Sequence, residues 1–236
     1  MQARLLAWFE EDGRDLPWRR TRDPYRVLVS EVMLQQTQVP RVIPRYLAWL
    51  ERWPTVEALA AAPPAAVIRE WQGLGYNRRA VNLHRAAQLV RARGWPDDLT
   101  ELPGVGPYTA AAVRRFAFGE AVLPVDTNIR RVLDRTGATF GPDAAEALMD
   151  LGATICLARV PRCGACPLAA DCPSRGRRYE PLRKQSRFEG SFRQRRAETL
   201  RLIAGGRSSG LDGEAVASLE QDGLVEVHAS LVRLPQ

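Results

Sequence analysis

The chain is nearly without lysine. Of its 34 basic side chains one, Lys184, is a lysine and the rest are arginines. The first 183 residues therefore offer no side-chain amine for Schiff-base chemistry. Long apolar runs are missing as well, and none reaches membrane-spanning length. Met1 to Trp8 lacks the basic-then-apolar pattern of an export signal. These two absences predict a cytoplasmic protein with no membrane partner. Alternating strand patterns are absent before residue 220. Cysteine is absent until Cys156, and all four cysteines lie between Cys156 and Cys172. In a cytosolic chain such a cluster points to a metal site before disulfides.

Enough is present for a folded protein. The 236 residues are 45% hydrophobic, which allows one large or two small domains with real cores. The net charge is +7 and the isoelectric point is about 9.8. So basic a chain suits a polyanionic partner, nucleic acid first, although charge alone equally fits a soluble protein that is merely basic. Apolar periodicity predicts a short first helix to Glu11 and a helical pattern from Pro24 to about Trp95. Breaks fall at Pro40, Pro54, Pro63-Pro64 and Gly73. Further helices are expected at about Tyr108–Phe118, Asp126–Thr136 and Asp143–Cys156. The first 180 residues thus read as all-α. Arg177 to Arg196 reads as a basic linker. Helices at Arg196–Ala204 and Gly213–Glu220 and strands at Leu224–Val227 and Ser230–Leu234 suggest a small winged-helix-like module. Such a module either binds DNA or serves packing.

The cysteine spacing is Cys156-x6-Cys163-x2-Cys166-x5-Cys172. Four thiolates in one short loop suit a tetrahedral sulfur site, either a [4Fe–4S] cluster or zinc. Zinc sites favour two close pairs, and only Cys163 and Cys166 form one. Arg159 and Arg162, between the first two cysteines, suit phosphate contacts or plain surface charge. In Leu102-Pro103-Gly104-Val105-Gly106-Pro107-Tyr108, Gly104 and Gly106 permit a tight turn into a helix N-terminus. Free N–H groups there favour an anion, with an ordinary helix–turn–helix as the alternative.

Two carboxylates stand out. Glu31 lies in the apolar run Val27-Leu28-Val29-Ser30-Glu31-Val32-Met33-Leu34. Burial would raise its pKa and suit it to general acid work; an exposed helix stripe is the alternative. Asp126 precedes a helix, where N-capping would keep it ionised. Two carboxyls with separated pKa values form a working pair for cleaving a bond to an anomeric carbon.

The cysteine spacing after Met149–Cys156, the turn Leu102–Ala110, and the strings Ser30–Thr37 and Val125–Asn128 together resemble the endonuclease III and MutY superfamily of DNA glycosylases. Over about residues 1–180 they are most similar to MutY-type adenine glycosylases. The resemblance implies an all-α, two-lobed helix-hairpin-helix fold. Residues 20–130 would form the helical barrel, and 1–19 with 131–180 the cluster lobe. Residues 187–236 would be the winged-helix-like module, and Glu31 and Asp126 would sit in the cleft. Cys156, Cys163, Cys166 and Cys172 would hold a [4Fe–4S] cluster. Glu31 would protonate adenine at N7. Asp126 would stabilise the sugar cation, aided by Asn128 and Tyr108. Leu34 and Gln36 would contact DNA, with Gln36 wedged into the gap left by the flipped base. Trp18 and Arg19 would line the adenine pocket. The implied partner is double-stranded DNA with a mismatched or damaged base, bound by a monomer associated with a bacterial nucleoid.

Two departures bear on substrate. Many MutY proteins have Gly-Tyr-Tyr where this chain has Gly75-Tyr76-Asn77, so Asn77 stands where the resemblance puts an inserting tyrosine. The residues after 185 are too few for the long C-terminal domain that reads 8-oxoguanine and are expected to form a different module. Bifunctional relatives use a lysine at the position of Tyr108 to cut the backbone, which predicts a monofunctional enzyme here. The rivals are a thymine-releasing mismatch glycosylase, a non-catalytic DNA-binding protein on the same scaffold, and a zinc-bound regulator.

Overall fold

A computed structural model describes residues 1–178, 187–229 and 231–236. Residues 179–186, inside the expected linker, and Ser230, in the second expected strand, lie outside the described residues. Among the described residues the architecture is all-α apart from one terminal hairpin, as expected, and no helix is long and apolar enough to cross a membrane. The helices are α1 (Gln2–Asp12), α2 (Pro24–Leu34), α3 (Val39–Arg52), α4 (Val56–Ala60), α5 (Pro64–Glu70) and α6 (Arg78–Arg93). They continue as α7 (Pro107–Phe116), α8 (Thr127–Thr136), α9 (Ala145–Thr154), α10 (Phe192–Ala204) and α11 (Gly213–Gln221). Strands β1 (Glu226–His228) and β2 (Leu231–Arg233) pair antiparallel, with Val227 opposite Val232.

Proline sets many of the starts. It occupies the first turn of α2, α3, α5 and α7, where a missing N–H costs nothing and the fixed φ already suits a helix. The basic linker ends earlier than expected. Ser191 caps α10 by accepting a hydrogen bond from the Gln194 amide, and the arginines that follow are good helix formers. Leu224 and Val225, expected in a strand, are instead buried ahead of β1.

By their contacts the residues group into two units. The first comprises Met1–Pro24 and the described residues of Pro107–Lys184. Its core gathers Leu5 of α1, Ile129 and Val132 of α8, Leu148 and Leu151 of α9, and Leu168 of the cysteine loop. The second comprises Tyr25–Gly106 and the described residues of Gln185–Gln236. At its centre Trp49 packs edge-on against Trp53 and Trp71, with ring centroids 4.6 and 5.4 Å away. The Trp49 indole donates to the Tyr25 hydroxyl at 3.2 Å, and that hydroxyl donates to the Trp53 carbonyl at 2.8 Å.

The terminal module packs rather than dangles. Leu200 and Ile203 of α10, Leu219 of α11, Leu224, Val225, Val232 and Leu234 share one core with Ile68 of α5. Its arginines are partly engaged internally. Arg195 pairs with Asp212 and Glu214, and Arg196 with Asp222, which also meets Arg78 of α6.

Candidate active site and cysteine loop

Helix α2 is apolar on almost every side, and Tyr25 through Met33 are buried apart from Arg26. Such a helix has no exposed stripe. Glu31 is accordingly 7% exposed, between Ser30 and Val32, and the exposed-stripe alternative does not hold. Leu34 ends the helix, half-buried. Gln36 follows, exposed and in the left-handed region at φ 57°. Asn77 is the N-cap of α6 and half-buried, whereas its neighbour Tyr76 is the exposed aromatic of that turn.

In the first unit the aspartate and asparagine expected to act together are in contact. One Asp126 oxygen accepts from the Ile129 amide at 2.6 Å, which caps α8. The other accepts from the Asn128 side-chain amide at 2.8 Å. Capping and contact with Asn128 are thus compatible, since each uses a different carboxylate oxygen. Arg131 continues the chain of contacts: it donates to the Asn128 oxygen (2.7 Å), the Gly152 carbonyl (2.6 Å) and the Cys156 carbonyl (2.7 Å). Burial pushes the Arg131 pKa down. Gly152 allows this approach, because a Cβ there would lie 2.6 Å from the Asn128 Cβ. Tyr108 stands in the first turn of α7, half-buried. Before it the turn closes with the Val105 amide donating to the Leu102 carbonyl at 3.0 Å. That leaves Gly104, at φ 79°, and Gly106 exposed around a buried Val105.

Sequence reasoning missed Asp150. It is 1% exposed on α9 and accepts from the Arg14 amide (2.8 Å), Arg14 Nε (2.8 Å) and Nη2 (2.5 Å), and Arg19 Nη1 (3.0 Å) and Nη2 (2.8 Å). Burial pushes the Asp150 carboxyl up, but hydrogen bonds from Arg19 and Arg14 outweigh it, and the net shift is down. Arg19 also lies over the Phe9 ring at 5.1 Å and pairs with Glu146. The Arg19 guanidinium therefore anchors the turn Pro17–Arg20, which carries Trp18, to α9. The available signal was an aspartate six residues before Cys156, one helical turn after Glu146, in a helix otherwise rich in apolar residues.

The four cysteines are free, and all line one cavity with Val132, Arg135, Leu151 and Leu168. Among the described residues no three acidic, histidine or cysteine side chains stand in metal-ligating geometry. The surroundings nonetheless suit sulfur ligation. Arg135 donates to Cys156 Sγ at 3.4 Å and the Gly176 amide to Cys163 Sγ at 3.3 Å, the N–H···S contacts that stabilise thiolates. Arg135 also holds the Leu157 and Ala158 carbonyls at 2.7 Å. Arg159 and Arg162 are exposed on the same loop.

Comparison with known proteins finds relatives by sequence and by fold. The profile of the HhH-GPD superfamily of base excision DNA repair proteins matches residues 29–154. An adenine DNA glycosylase of Mycolicibacterium smegmatis is 43% identical over 231 aligned residues, covering 84% of this chain and 78% of the relative. One from Mycobacterium tuberculosis is also 43% identical, covering 84% of this chain and 77% of the relative. The structure of a thermostable thymine-DNA glycosylase superposes with a TM-score of 0.66 at 30% identity, covering 73% of this chain and 93% of that one.

Proposed function

Since the chain belongs to the HhH-GPD superfamily of base excision DNA repair proteins, we propose that it is a monofunctional glycosylase releasing mispaired adenine from double-stranded DNA. The observation that carries the reading is the buried carboxyl of Glu31 on the apolar helix α2. In this reading Glu31 protonates adenine at N7 and makes it a leaving group. Asp126, held by the Ile129 amide and Asn128, stabilises the positive charge that develops on the sugar. Tyr108 stands where bifunctional relatives carry the nucleophilic lysine, and no lysine precedes Lys184. Bond cleavage therefore ends in hydrolysis and leaves the strand intact.

Trp18, held by the anchored turn, lines the pocket for the extruded base, and Arg19 acts mainly through that anchoring. Leu34, Gln36 and the turn at Asn77 meet the opened duplex. Gly104, Gly106, Arg159 and Arg162 meet phosphates. Cys156, Cys163, Cys166 and Cys172 would hold a [4Fe–4S] cluster, which when bound supplies a rigid cross-link for the loop that presents the two arginines.

A thymine-releasing mismatch glycosylase is the second reading, favoured by the similarity to the thymine-DNA glycosylase structure. The test is base release from three duplexes, with adenine opposite 8-oxoguanine, adenine opposite guanine, and thymine opposite guanine. Free adenine from the first two supports the proposal. Free thymine from the third alone supports the second reading. Binding without release from any would identify a non-catalytic DNA-binding protein.

A further inference from the structure

One side chain in the second unit gathers seven hydrogen bonds. Arg79, in the first turn of α6, is 9% exposed. Its Nη1 donates to the carbonyls of Val32 (2.7 Å), Met33 (2.9 Å) and Gln35 (2.7 Å). Its Nη2 donates to the Leu74 (3.3 Å) and Gly75 (2.9 Å) carbonyls and to Thr37 Oγ1 (3.1 Å). Nε donates to the Tyr76 carbonyl at 3.3 Å. The guanidinium also lies over the rings of Trp71 and Tyr76, 5.2 and 5.7 Å from their centroids. A guanidinium carries five N–H groups in a rigid planar fork, which an ammonium cannot imitate. Every one of these hydrogen-bond partners is a carbonyl or hydroxyl oxygen. Burial lowers the Arg79 pKa to about 10, so the group stays cationic at neutral pH.

The partners belong to two turns far apart in sequence. The first is the last turn and exit of α2, from Val32 to Thr37, and the second runs from Gly73 to Tyr76. Each contains a non-glycine residue with left-handed backbone, Gln36 at φ 57° and Tyr76 at φ 46°. Among the described residues only Ala229 shares that state. Such backbone persists where its surroundings hold it in place. Here Arg79 binds the carbonyl just before Gln36 and the carbonyls on either side of the Tyr76 amide and Cα. Both held residues carry exposed side chains, and Tyr76 is 43% exposed. A direct bond from Thr37 Oγ1 to the Leu74 carbonyl (3.3 Å) joins the same two turns.

Resting on the reading of the chain as a base-releasing glycosylase, we propose that Arg79 is a positioning residue that locks Gln36 and Tyr76 into one paired wedge for opening the base stack. It touches neither the leaving base nor the sugar. Its removal therefore impairs extrusion of the base and leaves bond cleavage largely intact.

The test is Arg79→Lys, which keeps the charge and loses the fork. Single-turnover base release is measured at saturating enzyme on two duplexes, one with adenine in a mismatch and one with adenine opposite an abasic analogue, where less stacking and pairing opposes extrusion. Both rates come from one preparation, so any loss of folded protein cancels in their ratio. The expected loss is about tenfold or more on the mismatch and under about threefold on the opened duplex, or at least 1.4 kcal/mol against about 0.6. With 2-aminopurine in place of the target base, the emission rise on binding should shrink in the same variant. Thr37→Val, which removes one partner and keeps Arg79, should shift the ratio in the same direction by a smaller factor. Equal losses on the two duplexes in both variants, or no loss in either, would overturn the role of Arg79. No base release by the unaltered protein on either duplex would overturn the glycosylase reading instead.

Discussion

Replacing Asp150 by asparagine removes the charge at the centre of the first unit's most buried ionic cluster and keeps the shape. The carboxylate is 1% exposed and accepts five hydrogen bonds from Arg14 and Arg19, whose side chains are 29% and 14% exposed. Breaking a buried ion pair by losing one partner costs about 3–5 kcal/mol, because the other charge is left uncompensated. Asparagine keeps one acceptor oxygen, and Arg14 is reached by water, so the lower end of that range, about 3 kcal/mol, applies. For a chain of this size each kcal/mol moves the melting temperature by about 2–4 °C, giving a fall of roughly 6–12 °C. The pH dependence has a defined sign. The folded-state pKa of Asp150 lies below its ordinary 3.8. The carboxylate's contribution is therefore fully present above the unfolded value and is lost as pH falls through the folded one. The stability gap between protein and variant, read by chemical denaturation from pH 7 down to pH 3, should hold steady above about pH 5 and narrow below pH 4. A melting temperature within about 2 °C of the unaltered protein, or a gap that widens on acidification, would refute the reasoning.

Three further outcomes follow from particular contacts. Arg131→Met cuts the link from Asn128 to the Cys156 carbonyl and should lower the melting temperature; unchanged melting would count against that link. Ile68→Ala, at the seam between α5 and the terminal module, should cost about 2–5 kcal/mol of stability, whereas a change under 0.5 kcal/mol would mean that the module does not share a core with α5. Borohydride added during turnover should trap no stoichiometric covalent complex, and the product should be an intact abasic strand that breaks only in alkali; efficient trapping would implicate an amine.

Much of this was legible in the sequence, and the reasons differ by element. The helices of residues 1–178 follow from apolar periodicity and from prolines that mark first turns, both local signals. The cap at Asp126 and its contact with Asn128 are also local, being two residues apart. The burial of Glu31 was one of two readings its apolar neighbours left open beside an exposed stripe, and the packing of α2 decides between them. Asp150 was not readable, since its partners Arg14 and Arg19 lie more than 130 positions away. Arg79 shows the same limit. It sits in an Arg-Arg pair that resembles any basic helix start, and only the fold reveals that Arg78 is exposed while Arg79 is buried among carbonyls. The terminal module was legible as helix, helix and hairpin, but its packing on Ile68 was not.

The central claim is that Glu31 is the proton donor for release of adenine. Glu31→Gln keeps the size and hydrogen-bonding outline of the side chain and removes the acid. Single-turnover release of adenine opposite 8-oxoguanine, measured beside duplex affinity, tests it most directly. A general acid contributes about 10²–10⁴ in rate, so the variant should lose at least about a hundredfold in release while binding duplex within about threefold of the unaltered protein. Release within about tenfold, a barrier change of no more than roughly 1.4 kcal/mol, would contradict the assignment.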